Sequence, residues 1–406
     1  MKSTLLTQIK GLAGVVPTET RFLKGSEMNK MAVLENAWLL MEDGLIKDFG
    51  TGTGGPERAD EIIDCTGKWV LPGFCDSHTH LVFAAPREKE FVAKIQGKTY
   101  EEIAAAGGGI LNSANHLRNM SELELFEQAE KRITQIKSTG TCSIEIKSGY
   151  GLSMDGELKM LRVIRRLKEK FKIPIKATFL GAHALPENFK SNREGYLSML
   201  LNELLPTIAN EELADFIDCF CERNYFTVDE MCRIIEAGAK FGLKAKVHVN
   251  QFTSSGGVAA AVKGGALSVD HLEELTNDDL SALKMGNTMA TALPGCSFFS
   301  NIPFCPARKI IEQDLPLAIA SDYNPGSAPS GNMQLIWAMA CIKLNLLPEE
   351  ALAAATINGA YAMELSREVG SIAIGKKALL NISKPAPSLA YFPYSFGENW
   401  LDRIMY

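Results

Sequence analysis

The sequence predicts an α/β protein: a (β/α)8 TIM barrel carrying a small β-sandwich domain formed from both termini. Three observations lead there. Short apolar runs alternate with helix-period stretches through the middle of the chain, strand-like segments gather at both ends, and five of the six histidines fall just past an apolar run.

The first element is the N-terminal β region. Ala32 to Leu34, Ala37 to Met41 and Leu45 to Phe49 are short strand-like runs, and Asp43-Gly44 between the last two is a hairpin signal. The far end echoes this with Ser371 to Ile374, Ala378 to Ile382 and an aromatic stretch from Tyr391 to Tyr406. Together they suggest one composite β domain, 1–70 plus 373–406, leaving 71–372 for the barrel. The barrel strands are read at Val70 to Cys75, Cys142 to Ile146, Ile175 to Leu180, Phe216 to Phe220, Ala245 to Val247, Leu267 to Val269, Thr288 to Leu293 and Leu317 to Ala320. Helical periodicity falls between most of them, most clearly in Leu123 to Lys137, Glu157 to Lys170 and Val228 to Phe241. Eight β–α repeats over roughly 250 residues are what such a barrel requires.

Composition narrows the function class. With 46% hydrophobic and 22% charged residues the chain reads as globular. A net charge of −6 offers no basic field for nucleic acid or an anionic membrane; the run Arg162 to Lys168 is expected to be one solvated helix face. No apolar run approaches the ~20 residues of a membrane span, and the first 30 residues lack signal-peptide features. The nine cysteines are odd in number and scattered, which argues against a disulfide framework and for a reducing, cytoplasmic setting.

Barrel active sites are assembled at the C-terminal ends of the strands. His78 and His80 follow strand 1, His183 strand 3, His248 strand 5 and His271 strand 6, while Asp322 follows strand 8. His116 lies in a polar stretch and is expected at the surface. In an extended segment, residues two apart face the same side, so His78 and His80 can converge on one ion. A lone HxH pair is explained more readily by polar contacts; His248 after strand 5 and Asp322 after strand 8 turn the balance toward a metal held by His78, His80, His248 and Asp322.

The pattern His78-Thr79-His80, His248, His271 and Ser321-Asp322 resembles the amidohydrolase superfamily, and within it the imidazolonepropionase family. The likeness is carried by Asp76 to Ala84 with Arg87, by Thr99 to Ile103 with Gly107 to Ile110, by Lys147 to Leu152, by Thr178 to His183, by His248 to Gln251, and by Ser321 to Ser327. The resemblance implies hydrolytic opening of 4-imidazolone-5-propanoate, a small-molecule substrate, to N-formimidoyl-L-glutamate. It implies one Zn2+ or Fe3+ ion per subunit to activate the water, with a homodimer as the expected assembly. Asp322 would double as general base and His271 would stabilise the developing oxyanion. Arg87 would hold the propionate, Tyr100 and Tyr150 would flank the ring, His183 and Gln251 would hydrogen-bond it, and Asn324, Gly326 and Ser327 would meet the product.

Two positions depart from the family pattern. Asn250 stands where an acidic residue is frequent, and Gln251 occupies a Glu-or-Gln position. An amide cannot serve as a carboxylate base, so the base role rests on Asp322 with His271. Gly107 to Gly109 lacks the Gly-Lys-Ser/Thr of a phosphate loop and reads as a lid hinge. Strand 4 ends in Cys219-Phe220-Cys221-Glu222, without the lysine that bridges two-metal relatives, and Lys147 lies in the wrong place for that bridge. The alternatives are a nucleobase-type deaminase or cyclic-imide hydrolase on the same ligands, and a non-catalytic metal-binding protein on the same scaffold.

Overall fold

The computed structural model describes residues 2–53, 55–56, 58–98, 102 and 108–406. Eight parallel strands form the central sheet: β6 (Phe74–Asp76), β7 (Thr141–Lys147), β8 (Ile175–Ala182), β9 (Phe216–Cys221), β10 (Lys244–Val249), β11 (Ser268–His271), β12 (Met289–Ala292) and β13 (Leu317–Ile319), paired in chain order. Every residue of β7 and β9 is buried, as expected of parallel strands covered on both faces, which is why these strands read as apolar runs rather than alternations. Among the described residues the first and last strands meet at the C-terminal mouth. There Asp322 N donates to His78 O at 3.0 Å, His80 N donates to Tyr323 O at 2.9 Å, and Thr79 and Tyr323 form a parallel bridge.

The outer helices begin where side chains satisfy their free N–H groups. Ser121 and Glu124 form a capping box for the helix Glu122–Lys137, and Thr227 and Glu230 do the same for Val228–Lys240. Ser153 caps Met154–Lys170. Arg162, Arg166 and Lys168 on that last helix are half-buried and ion-paired with Glu211, Glu122 and Asp215 rather than freely solvated.

The termini share a second, mixed sheet of seven strands: β1 (Ser3–Val15), β2 (Ala32–Glu42), β3 (Leu45–Thr51), β4 (Glu61–Asp64), β5 (Trp69–Pro72), β14 (Leu380–Ser383) and β15 (Leu401–Met405). β14 pairs antiparallel with β5, which joins the two chain ends. Leu6, Ile9, Leu12, Leu39, Val70 and Ile382 fill its core. Asp43 and Gly44 both take positive φ, 48° and 80°, as a tight hairpin turn demands. Ala32 to Leu34 and Ala37 to Met41 prove to be one strand, and Ser371 to Ile374 contributes only an isolated bridge from Ile372 to Val15. Tyr391 to Tyr406 divides into a short helix and β15.

The run Val70 to Cys75 also divides. Trp69–Pro72 belongs to the terminal sheet and Phe74–Asp76 to the barrel, with Gly73 between them. A β-carbon there would lie 2.1 Å from Cys142 Sγ, so only glycine lets the chain pass from one sheet to the other at this point.

Candidate active site

The barrel places its interior polar groups at one end. Three imidazole Nε2 atoms converge: those of His78 and His248 are 3.1 Å apart, and those of His80 and His248 are 3.2 Å apart. Asp322 Oδ1 lies 3.6 Å from both His78 Nε2 and His80 Nε2. A tetrahedral ion with bonds of about 2.0–2.1 Å sets its ligand atoms about 3.3–3.4 Å apart, close to these four separations, and His78, His80 and Asp322 form one group able to hold an ion, His78, His248 and His271 another. Lone pairs facing each other at such distances repel unless a cation lies among them. Burial holds all three histidines well below their ordinary pKa, the neutral state a metal ligand needs.

Behind the ligands stand carboxylates. His78 Nδ1 is 2.7 Å from Asp270 Oδ2, and His248 Nδ1 is 2.8 Å from Asp218 Oδ2. Such contacts keep the proton on Nδ1 and aim Nε2 at the ion. Sequence reasoning missed Asp218 and Asp270, together with Glu145 and Lys246 in the same buried layer. The available signal was an ionisable residue inside an apolar strand, as in Phe216-Ile217-Asp218-Cys219.

Asp322 is buried, and that burial pushes its carboxyl up to about 6. Its φ is +53°, a left-handed conformation that Asp tolerates better than most residues. His271, the last residue of β11, is held at φ +90°, and its ring lies 5.3 Å from that of His248. Burial opposes charge on this imidazole, but the Glu273 carboxylate, 3.5 Å from Nδ1, raises it well above its usual range. Glu273 is held in turn by Ser297 Oγ at 3.1 Å. Glu273 thus favours the protonated form of His271 beside the donor set.

The residues expected on the substrate side gather at the mouth. His183 stacks on His80 with centroids 5.2 Å apart, and burial lowers it to about 4. Its Nδ1 is 3.0 Å from Gly149 O. Tyr150 lies 5.8 Å from the His80 ring, and the Arg87 guanidinium opposes the rise that burial gives its hydroxyl's pKa. The loop holding Tyr150 is fixed by a buried carboxylate that sequence reasoning missed: Glu157 accepts from the N–H groups of Gly149, Gly151 and Leu152 at 2.8–3.0 Å. The Arg87 side chain is only 10% exposed, presses against Gly326, and lies 3.7 Å from Glu90. Its Nε has no partner among the described residues. Such a guanidinium suits an incoming anion.

Gln251 sits at the same rim, donating to Cys296 Sγ at 3.4 Å. Asn250 turns away to Glu274 O and Asp279, so its amide braces a loop. Asn324 accepts from the backbone N–H groups of Gly326 and Ser327, both at 2.8 Å, and thereby shapes the loop beneath Arg87. Of the hinge glycines, Gly109 has φ +81° and donates to Glu90 at 3.0 Å, while Gly107 lies outside the described residues. Tyr100 also lies outside them. His116 is exposed on the helix Ile110–Asn119.

Residues 69–405 match the model of the Amidohydrolase family. The chain is 53% identical, over 99% of its length and 98% of that protein, to imidazolonepropionase of Flavobacterium johnsoniae. It is 52% identical, over 98% of both chains, to imidazolonepropionase of Christiangramia forsetii. An adenosine deaminase from Xanthomonas campestris, solved with bound zinc, superposes with a TM-score of 0.69 over 100% of this chain and 91% of its own at 16% identity, a likeness of fold. With the donor set described above, the cofactor is a metal ion. The chain belongs to the amidohydrolase family and, within it, to the imidazolonepropionases.

Proposed function

We propose that the chain hydrolyses 4-imidazolone-5-propanoate to N-formimidoyl-L-glutamate with one Zn2+ or Fe3+ ion held by His78, His80, His248 and Asp322. The observation that carries this reading is the 53% identity to an imidazolonepropionase across the whole chain, accompanied by Arg87 and Tyr150 at the mouth of the donor set. Imidazole and carboxylate donors suit zinc and iron alike. The nine cysteines are all free thiols, which supports the cytosol as the working compartment.

The ion's contribution is hydroxide near neutral pH. Arg87 binds the propionate and Tyr150 and His183 flank the ring, which sets the carbonyl carbon before the attacking oxygen. Asp322 takes the proton released by the water, burial of its carboxyl favouring proton uptake. As the carbon–oxygen bond forms, His271 donates to the carbonyl oxygen and stabilises its growing negative charge. The ring carbon–nitrogen bond then breaks, the leaving nitrogen takes the proton from Asp322, and the carbonyl carbon becomes a carboxylate. Gln251 contributes a hydrogen bond to the ring and leaves base chemistry to Asp322.

The test is loss of the substrate's ultraviolet absorbance in the presence of purified enzyme. Turnover is expected, and Asp322→Asn should lower kcat by about 10²- to 10⁴-fold with the fold intact. Absence of turnover alongside ammonia release from a nucleobase would instead establish a deaminase.

A further inference from the structure

We propose that Lys147 is a positioning residue for the metal centre, its ammonium being the common partner of the carboxylates that orient His78 and His248. The inference rests on the ligand set proposed above. Glu145 and Lys147 are two apart on β7 and so face the same side, into the barrel. Lys147 Nζ lies 2.8 Å from Glu145 Oε1, 2.9 Å from Asp218 Oδ2 and 3.9 Å from Asp270 Oδ2, all without solvent exposure of the side chains. Asp218 Oδ2 is the atom that meets His248 Nδ1, and Asp270 Oδ2 is the atom that meets His78 Nδ1. One ammonium therefore reaches both carboxylate–histidine pairs through the very oxygens that hold the rings.

This arrangement has a chemical purpose. Nε2 is free for an ion only while Nδ1 keeps its proton, and an ionised carboxylate opposite Nδ1 enforces that tautomer. Lys147 Nζ lies among three buried carboxylates and, by binding Asp218 Oδ2 at 2.9 Å and standing 3.9 Å from Asp270 Oδ2, fixes where the oxygens that meet the two rings sit. The second buried ammonium does not substitute for the first. Lys246 Nζ is bonded to Ser268 Oγ and Ala362 O and lies 3.9 Å from Asp270 Oδ2, as Lys147 does, but among the described residues it makes no ion pair with Asp218, so it reaches one pair and not both. Stability alone gives no reason for the group, because apolar residues fill a barrel core at least as well as a buried charge network.

Lys147→Met and the charge-balanced double variant Glu145→Gln/Lys147→Met separate positioning from simple neutralisation of Glu145. Each is checked for folding by circular dichroism. Zinc affinity is then measured by chelator competition, the visible spectrum of the cobalt-loaded protein is recorded, and KM and kcat are determined. Zinc affinity should fall by about 10- to 100-fold in both variants, with an altered cobalt spectrum and a lower kcat at near wild-type KM. Wild-type affinity and spectrum in the double variant would overturn the inference. Should neither variant fold, Asp218→Asn keeps the shape and removes the charge link, and wild-type zinc binding there overturns it equally. His248→Ala guards the premise: if it retains metal the ligand set is wrong, whereas its loss of metal beside normal binding in the Lys147 variants refutes only the role of Lys147.

Discussion

Gly326→Ala tests the proposed carboxylate-binding end of the site without altering any ionisable group. A β-carbon at position 326 would lie 1.7 Å from Arg87 Nη2 and 2.2 Å from its Cζ, whereas carbon contacts settle at about 3.5 Å. The guanidinium is the free end of a long side chain, so it yields before the backbone does and the fold survives. It must retreat by about 2 Å, and misplacement on the order of 1 Å is enough to spoil a positioned contact. A charge-assisted pair with a carboxylate contributes about 1.5–3 kcal/mol. At about 1.4 kcal/mol per tenfold, KM should rise by about 10- to 100-fold while kcat changes far less, because Asp322 and His271 are untouched. Initial rates of imidazolonepropionate loss over a range of concentrations measure both constants, with Arg87→Ala setting the upper limit and a melting curve confirming the fold. An unchanged KM in folded Gly326→Ala would refute the placement of the substrate carboxylate against Arg87.

Two further perturbations probe the scaffold. Lys376 is buried and donates to Ser366 O and Ser371 Oγ at 2.6 Å, and burial pulls its pKa from 10.5 to about 8. Between those values the unfolded chain binds a proton that the folded one does not, so this group's contribution to stability rises as pH increases from 8 to 10.5 and is lost as pH falls through 8. Denaturant titrations should show the wild type gaining about 2 kcal/mol on Lys376→Met across that window, after allowance for solvent screening; parallel pH profiles would contradict the assignment. Gly73→Ala drives a β-carbon to within 2.1 Å of Cys142 Sγ in a packed crossing. It should cost about 2–3 kcal/mol, read as a lower melting temperature, and a wild-type melt would mean that the crossing can relax.

Much of the architecture was legible because parallel barrel strands are buried on both faces and leave unbroken apolar runs. The spacing of His78 and His80, and their recurrence with His248 and Asp322 just beyond such runs, exposed the donor set for the same reason: strand ends are the one place a barrel collects polar groups. What escaped detection was pairwise. Asp218 and Asp270 look like isolated polar interruptions until the fold brings His248 and His78 against them, the latter from 192 residues away. Glu157 reads as one acid on an amphipathic helix, yet it caps three amides of the Tyr150 loop. Periodicity likewise could not show that Val70 to Cys75 serves two sheets, because both halves are apolar and only the crowding at Gly73 separates them. The long N-terminal strand Ser3–Val15 was hidden by its irregular alternation, broken where Gln8 takes a positive φ of 53°.

The meeting of the first and last barrel strands has a thermodynamic consequence. The two backbone–backbone hydrogen bonds that join them are donated by Asp322 and His80, residues whose side chains are also metal donors in the proposed set, and Ser321 N adds a bond to the Asp76 carboxylate. Ring closure and assembly of the donor set are therefore one event rather than two. A cation held by the proposed set would clasp this seam, and closure and ion binding would each favour the other by the same free energy. Stripping the metal should leave most of the barrel protected while the amides of His80 and Asp322 become the first to exchange with solvent, so the catalytic end is also where the fold comes undone.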